Sequence, residues 1–345
     1  MRITALPRSQ AGYTMAEVAI AATIMAILVP VLSVLFNSTN TSFTGFEAGN
    51  ALKTNNQNTV NRMYLRLGRN KRIFQNITAD KAFLSLVNLS GAPSVMSGSK
   101  LPEIYAGGSL SPDTTDFHSA GFGNSLFFVY NDKALELPEV YDSASTTTTV
   151  RIDTYKFAYY YLTPDASPSI LGRQTYKVVE WESIPYADCD QINTIANTTK
   201  KPSAVSVLLD NRINFCWSPS ASSTGVAFSS FTRTSVSTAI LQASSPHAIA
   251  REKSKVLTAI TTGLMGAGYM YGISPNAASG NGSFKKTVPA YATVSGSFPA
   301  GLEIGITGSS AGRQVLIRSV MIAKGTVMKM IADEEVVICS ARDIW

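Results

Sequence analysis

Hydrophobic and polar residues are spread unevenly along this chain. Residues 11 to 36, AGYTMAEVAIAATIMAILVPVLSVLF, form an apolar run in which Val18 to Phe36 is broken only by Thr23, Pro30 and Ser33, and no ionisable group follows until Glu47. As a helix rising about 1.5 Å per residue this segment covers roughly 28 Å, close to the ~30 Å hydrocarbon thickness of a bilayer. It is long enough to span a membrane. Beyond it, Phe43, Phe46, Leu52, Val60, Met63, Leu67 and Phe74 recur at broadly helical intervals. That spacing predicts one long helix with a membrane half over 13–36 and an outer half over 37–75.

The pattern then changes to runs of aromatic and β-branched residues. SLFFVYND at 125–132, TYKFAYYYL at 154–162 and QTYKVVEWE at 174–182 read as strands separated by polar loops. In SAVSVLLDNRINFCW the odd positions Val205, Val207, Leu209, Ile213, Phe215 and Trp217 are apolar. This alternation predicts a further strand with one buried face, interrupted at Asp210 and Asn211 by a bulge or a turn. Ser245 as a cap, Pro246 behind it, and Ile249, Lys253, Val256, Ile260 and Leu264 at near-helical spacing predict a second helix over 246–264. After a Gly/Ser/Asn-rich loop at 272–283, GLEIGIT, RQVLIRSVMIA and EEVVICS read as strands. The expected fold class is α+β: a long N-terminal helix on an antiparallel β-sheet head over 76–235. Residues 236–345 either complete that sheet or form a second subdomain.

The segment before the apolar run decides how the run is read. MRITALPRSQAG carries Arg2 and Arg8, no acid and no apolar core. A secretory signal is cut after its apolar core, whereas here the layout places a cut before it, so that residues 1–12 leave as a leader and the helix stays. A basic leader ending in Gly12, then aromatic Tyr13, then Glu17 ahead of a charge-free span, resembles the junction of type IV prepilins and type II secretion pseudopilins. Tyr13 departs mildly from the phenylalanine usual there, and Pro30 lies one turn earlier than the helix-kinking proline of many major pilins.

The resemblance covers about residues 8 to 36, and the strand succession resembles the head of the larger minor pilins more loosely. It implies cleavage after Gly12 by a prepilin peptidase, N-methylation of Tyr13, and a role for Glu17 in assembly. The implied partners are other pilins or pseudopilins, inner-membrane assembly machinery and the inner membrane itself, crossed once with the head in the periplasm or outside the cell. No cofactor and no enzymatic activity are implied. A head of this size favours a minor, priming or near-tip subunit over a principal building block.

Composition alters this picture little. The 29 basic and 23 acidic side chains give a net charge of +6, falling to +4 without Arg2 and Arg8; a chain so weakly charged does not call for a polyanionic partner. Three cysteines, Cys189, Cys216 and Cys339, allow three pairings in an oxidising compartment. Cys189 with Cys216 is favoured, since each ends a strand-like run.

Candidate chemistry is sparse. Gly308 to Gly312 matches G-x-S-x-G, but RQVLIRSVMIA after it reads as strand and both histidines, His118 and His247, precede it. A hairpin explains it better than a nucleophile elbow. Two distant histidines make no metal set, and Asp113 with Asp116 fits a solvated loop better than a calcium loop. The one concentrated charge is NRMYLRLGRNKRIF, where Arg62, Arg66 and Arg69 share a helical face beside Lys71 and Arg72. A solvated face or salt bridges to a neighbouring subunit are the plain readings. Nucleic acid is the alternative, within a competing class of filament-borne adhesins and DNA-binding receptors. A signal-anchored extracytoplasmic enzyme is the third class.

Overall fold

A computed structural model of the chain describes residues 13–105, 123–141, 147–164, 176–195, 200–235, 238–243, 247–257, 270–273, 302–310, 312–324 and 331–341. The leader with Gly12, the acids Asp113 and Asp116, and His118 lie outside the described residues, as do Ser245, Pro246 and most of the 272–283 loop.

Helix α1, Met15–Leu67, is continuous over 53 residues. Its start follows from local chemistry: Thr14 is the N-cap and Glu17 the third helical residue, and each side chain bonds the other's backbone N–H. Side chains up to Phe43 stand exposed. From Gly45 onward one stripe is buried, comprising Gly45, Ala48, Leu52, Asn56, Thr59, Val60, Met63 and Leu67, at the three- and four-residue spacing of a helix face against a core. Phe43 and Phe46 belong to no such stripe; they point outward. The helix also ends earlier than its apolar spacing predicts. Gly68 closes it, its N–H bonded to the Tyr64 carbonyl, and Asn70–Phe74 is strand β1. Phe74 is buried, but by stacking on Phe127 at a centroid distance of 4.5 Å and not on a helix face.

Short helix α2 (Thr78–Ser85) and strand β2 (Ile104–Tyr105) lead into the centre of the sheet: β3 (Leu126–Tyr141), β4 (Thr147–Pro164) and β5 (Tyr176–Ser183). These three pair antiparallel in sequence order. Their apolar residues do not alternate with polar ones because both faces are covered. Leu126, Phe128, Tyr130, Ala158, Tyr160, Leu162 and Val178 face α1. Phe127, Val129, Phe157, Tyr159, Tyr161, Val179 and Trp181 face a second, aromatic core with Phe74, Phe83, Trp217 and Phe228.

Strand β6 (Tyr186–Asp188), helices α3 (Cys189–Thr194) and α4 (Lys200–Asp210), strand β7 (Phe215–Trp217), helix α5 (Thr224–Ala227) and strands β8 (Phe228–Ser235) and β9 (Thr238–Ala243) extend one side. Here the strand predicted over 203–217 is corrected. Residues 200–210 are helical and only Phe215–Trp217 is strand. Ala204, Val205 and Leu208 are the buried residues of α4, a helical spacing, and they pack with Ile192, Ile213 and the two cysteines. The interruption at Asn211 is the turn that ends α4, with Arg212 at φ 61°.

A second correction concerns residues 246–264. Their described part, 247–257, contains strand β10 (Arg251–Val256), paired with β5 through Lys253↔Glu182 and Lys255↔Glu180. Ile249 is buried by bridging Val87, not by a helix stripe. Strands β11 (Met270–Ile273), β12 (Leu302–Thr307), β13 (Arg313–Lys324) and β14 (Ile331–Ala341) follow. Of the G-x-S-x-G residues, Gly308, Ser309, Ser310 and Gly312 lie between the paired strands β12 and β13, with Gly308 at φ +90°.

Among the described residues fourteen strands form one hydrogen-bonded sheet, antiparallel except at β12·β2 and β6·β7. Strand β11 joins its two parts, pairing β13 along its length and meeting β5 at Ile273↔Tyr176. The C-terminal strands therefore continue the central sheet, and α1 lies across β13 and β14 as well as β3. The class is α+β.

Candidate functional site

Helix α1 carries features of interest at both ends. At its start Tyr13 is 86% exposed, and Glu17 accepts from the Thr14 backbone N–H at 2.9 Å and from its hydroxyl at 3.0 Å. Glu17 therefore has a partner within its own chain, the reciprocal cap, which the apolar pattern did not disclose although T-x-x-E is its signature. Between Glu17 and the sheet lies a span with mean hydropathy 2.7, none of it buried. It is one helix long and apolar enough to cross a membrane.

At the inner end the basic stripe meets the sheet. On β5, Val178, Glu180 and Glu182 alternate onto the α1 side while Val179 and Trp181 point away. Both glutamates are almost completely buried, a placement that is costly unless each is paired. Arg66 pairs with Glu180 at 2.8 Å and also with Glu182. Arg62 reaches Glu180 at 2.7 Å, and the Tyr160 hydroxyl donates to it at 2.7 Å. Glu182 further takes Lys156 at 3.2 Å and Lys253 at 3.1 Å. Lys156 in turn contacts Glu252 at 2.7 Å and Asp132 at 3.9 Å. The Arg66 guanidinium lies over the Tyr130 ring, 5.3 Å from its centroid.

Burial by itself would raise the Glu182 carboxyl, but Arg66, Lys253 and Lys156 outweigh it and hold the group below the usual carboxylate range. Burial likewise opposes the charge on Arg66, and the rings and carboxylates around it more than restore it. The four cations Arg62, Arg66, Lys156 and Lys253 face the four carboxylates Asp132, Glu180, Glu182 and Glu252. Among the described residues, Arg62 and Arg66 of the stripe are thus paired with carboxylates of their own sheet. Arg69 lies past the end of α1, exposed at the rim of a cleft of about 470 Å³ that Arg62, Arg66, Lys156, Glu182 and Lys253 also line. The sequence did carry a signal for this cluster. A strand buried on both faces that reads V-x-E-x-E requires cations, and R-x-x-x-R on the helix before it supplies them.

Cys189 and Cys216 form a disulfide. The parallel pairing of β6 with β7, Ala187↔Cys216 and Asp188↔Trp217, brings the two residues together. Cys339 is a buried free thiol on β14, raised by that burial to about 12. The bridge closes a separation of 27 residues, for which chain entropy gives about 3.5 kcal/mol. Cys189→Ser should therefore lower unfolding free energy by about that amount under oxidising conditions in denaturant titration, while Cys339→Ser should leave the response to reductant unchanged.

Among the described residues no group of three or more His, Cys, Asp or Glu side chains is placed to hold a metal ion. No family model, curated protein or solved structure matches the chain significantly.

Proposed function

We propose that this chain is a minor pilin or pseudopilin: a structural subunit held in the inner membrane by the first half of α1 and incorporated into, or priming, a type IV pilus-like filament. The observation that carries the reading is the division of α1 between two environments. Its first part is apolar, charge-free from Val18 to Phe46 and exposed along its whole span, while its second part is seated on the sheet by a continuous stripe from Gly45 to Leu67. An apolar surface of that extent on a single helix needs lipid or other helices around it. Gly12, Tyr13 and Glu17 stand before it in the spacing of a prepilin junction.

In this reading a prepilin peptidase cuts after Gly12, the Tyr13 amine is methylated, and other pilins and the inner-membrane assembly machinery are the partners. The activity of the protein is assembly, and the peptidase acts on it. Gly12→Glu should leave a membrane-bound precursor heavier by the leader and absent from filaments, and mass spectrometry of the native N-terminus should find methylated Tyr13. An intact Met1 on the mature protein would end the reading.

A further inference from the structure

On the face of β12–β14 turned away from α1, two carboxyls share one guanidinium. Glu303 of β12 is 1% exposed, and neither of its side-chain oxygens has a hydrogen-bond partner. Its register partner on β13 is Arg318, whose Nη1 is 3.8 Å away, within ion-pair range but beyond a hydrogen bond. The same guanidinium is engaged through Nη2 with Glu334 of β14 at 2.6 Å. Among the described residues Arg318 and Glu334 are the charged groups that face Glu303. Asp333 and Glu335 alternate to the other side of β14, and the neighbours of β12 on its far edge, Ile104 and Gly123, are uncharged.

The opposite face of these strands is where α1 is seated. The buried Asn56 amide donates to the Ser319 carbonyl at 3.2 Å and to the Asp333 carboxylate at 2.9 Å. Leu302, Ile304, Ile306, Val315 and Ile317 share a core with Ala48 and Leu52. Whatever loosens β12–β14 therefore loosens the seat of the helix.

We infer that Glu303, Arg318 and Glu334 form a proton-operated latch: with Glu303 protonated the three strands hold firmly beneath α1, and ionisation of Glu303 loosens them and the helix with them. One guanidinium neutralises one carboxylate, so a second ionised carboxyl leaves a buried negative charge that no donor among the described residues solvates, and opening to water relieves it. Burial first, then the Glu334 charge, push the Glu303 carboxyl up, against the pull of Arg318, to about 7. Because this lies above the ordinary value of 4.5, the folded state keeps the proton longer than the opened one. Stability is full below the ordinary value and falls as pH rises towards 7.

Hydrogen exchange of the full chain in detergent micelles, corrected for the intrinsic pH dependence of exchange, tests the latch between pH 5 and pH 8. Opening of β12–β14 and of α1 residues 48–63 should increase on the order of a hundredfold relative to β3–β4 across that range. Glu303→Gln should abolish the slope. Glu334→Gln, which leaves Arg318 to Glu303, should reduce it severalfold and keeps the test open if the first variant folds poorly. A flat native ratio, or an undiminished slope in either variant, overturns the inference.

Discussion

Replacing Arg66 by alanine is expected to destabilise the head by about 3 kcal/mol. Glu180 and Glu182 are nearly dry, and breaking a buried ion pair from one side costs about 3–5 kcal/mol because the remaining charge keeps its desolvation penalty. The lower end applies here, since Arg62 still reaches Glu180 and both Lys156 and Lys253 still reach Glu182. The measurement suits a chain beginning at Thr39, because side chains before Thr44 are exposed and add nothing to the core. Exchanging Arg66, Glu180 and Glu182 together for Met, Gln and Gln should recover most of the loss. If that triple variant is no more stable than Arg66→Ala, stranded charge is not the cause.

The same substitution should change how the head responds to acid. In the native protein the Glu182 carboxyl lies below its ordinary value of 4.5, so its contribution to stability is intact above that value and is lost as pH falls through the lowered native one. Without Arg66 the burial penalty is less fully opposed. Acid unfolding should then begin at a higher pH than in the native head.

Parts of this arrangement can be read directly from residues and others cannot. The long helix and strands β3, β4, β5, β12, β13 and β14 stand out because their patterns are long and locally consistent. Residues 203–217 show where pattern fails: Ala204, Val205, Val207, Leu208 and Leu209 satisfy a period of two and a period of 3.6 almost equally, an ambiguity inherent in short apolar runs. Pro202, within the first turn of α4, was the available sign of a helix start. Residues 251–256 fail differently. REKSKV has no apolar alternation of its own and becomes a strand because β5 offers it an edge nearly seventy residues earlier in the chain. The charge cluster was half legible. Arg62 and Arg66 were visible as a stripe, but their partners are on β5, and only the sheet order brings them together.

Glu17→Val is expected to leave cleavage after Gly12 and insertion in the membrane intact while sharply reducing incorporation into filaments and recovery in complexes with partner pilins. In the proposed reading, cleavage after Gly12 leaves a chain that begins at Tyr13 with a new positive amine, four residues before Glu17. In that reading, packing subunits side by side in the bilayer would bring the carboxylate of one near the amine of another. In a medium of low dielectric constant an unpaired charge is costly and a close pair offsets much of that cost, so a wrong axial register leaves both groups unsatisfied. Besides that proposed role, Glu17 bonds the Thr14 N–H and completes the cap of α1 within the single chain, and loss of a helix cap costs about 1 kcal/mol. The two roles separate by experiment. Thr14→Val removes the hydroxyl half of the cap, its bonds with the Glu17 N–H and carboxylate, but keeps the carboxylate and its bond from the backbone N–H of residue 14, so it should co-purify with partner pilins from membranes nearly as the native protein does, whereas Glu17→Val should not. Equal losses in the two variants would reduce Glu17 to a helix cap, and unchanged recovery of Glu17→Val would remove it from assembly altogether.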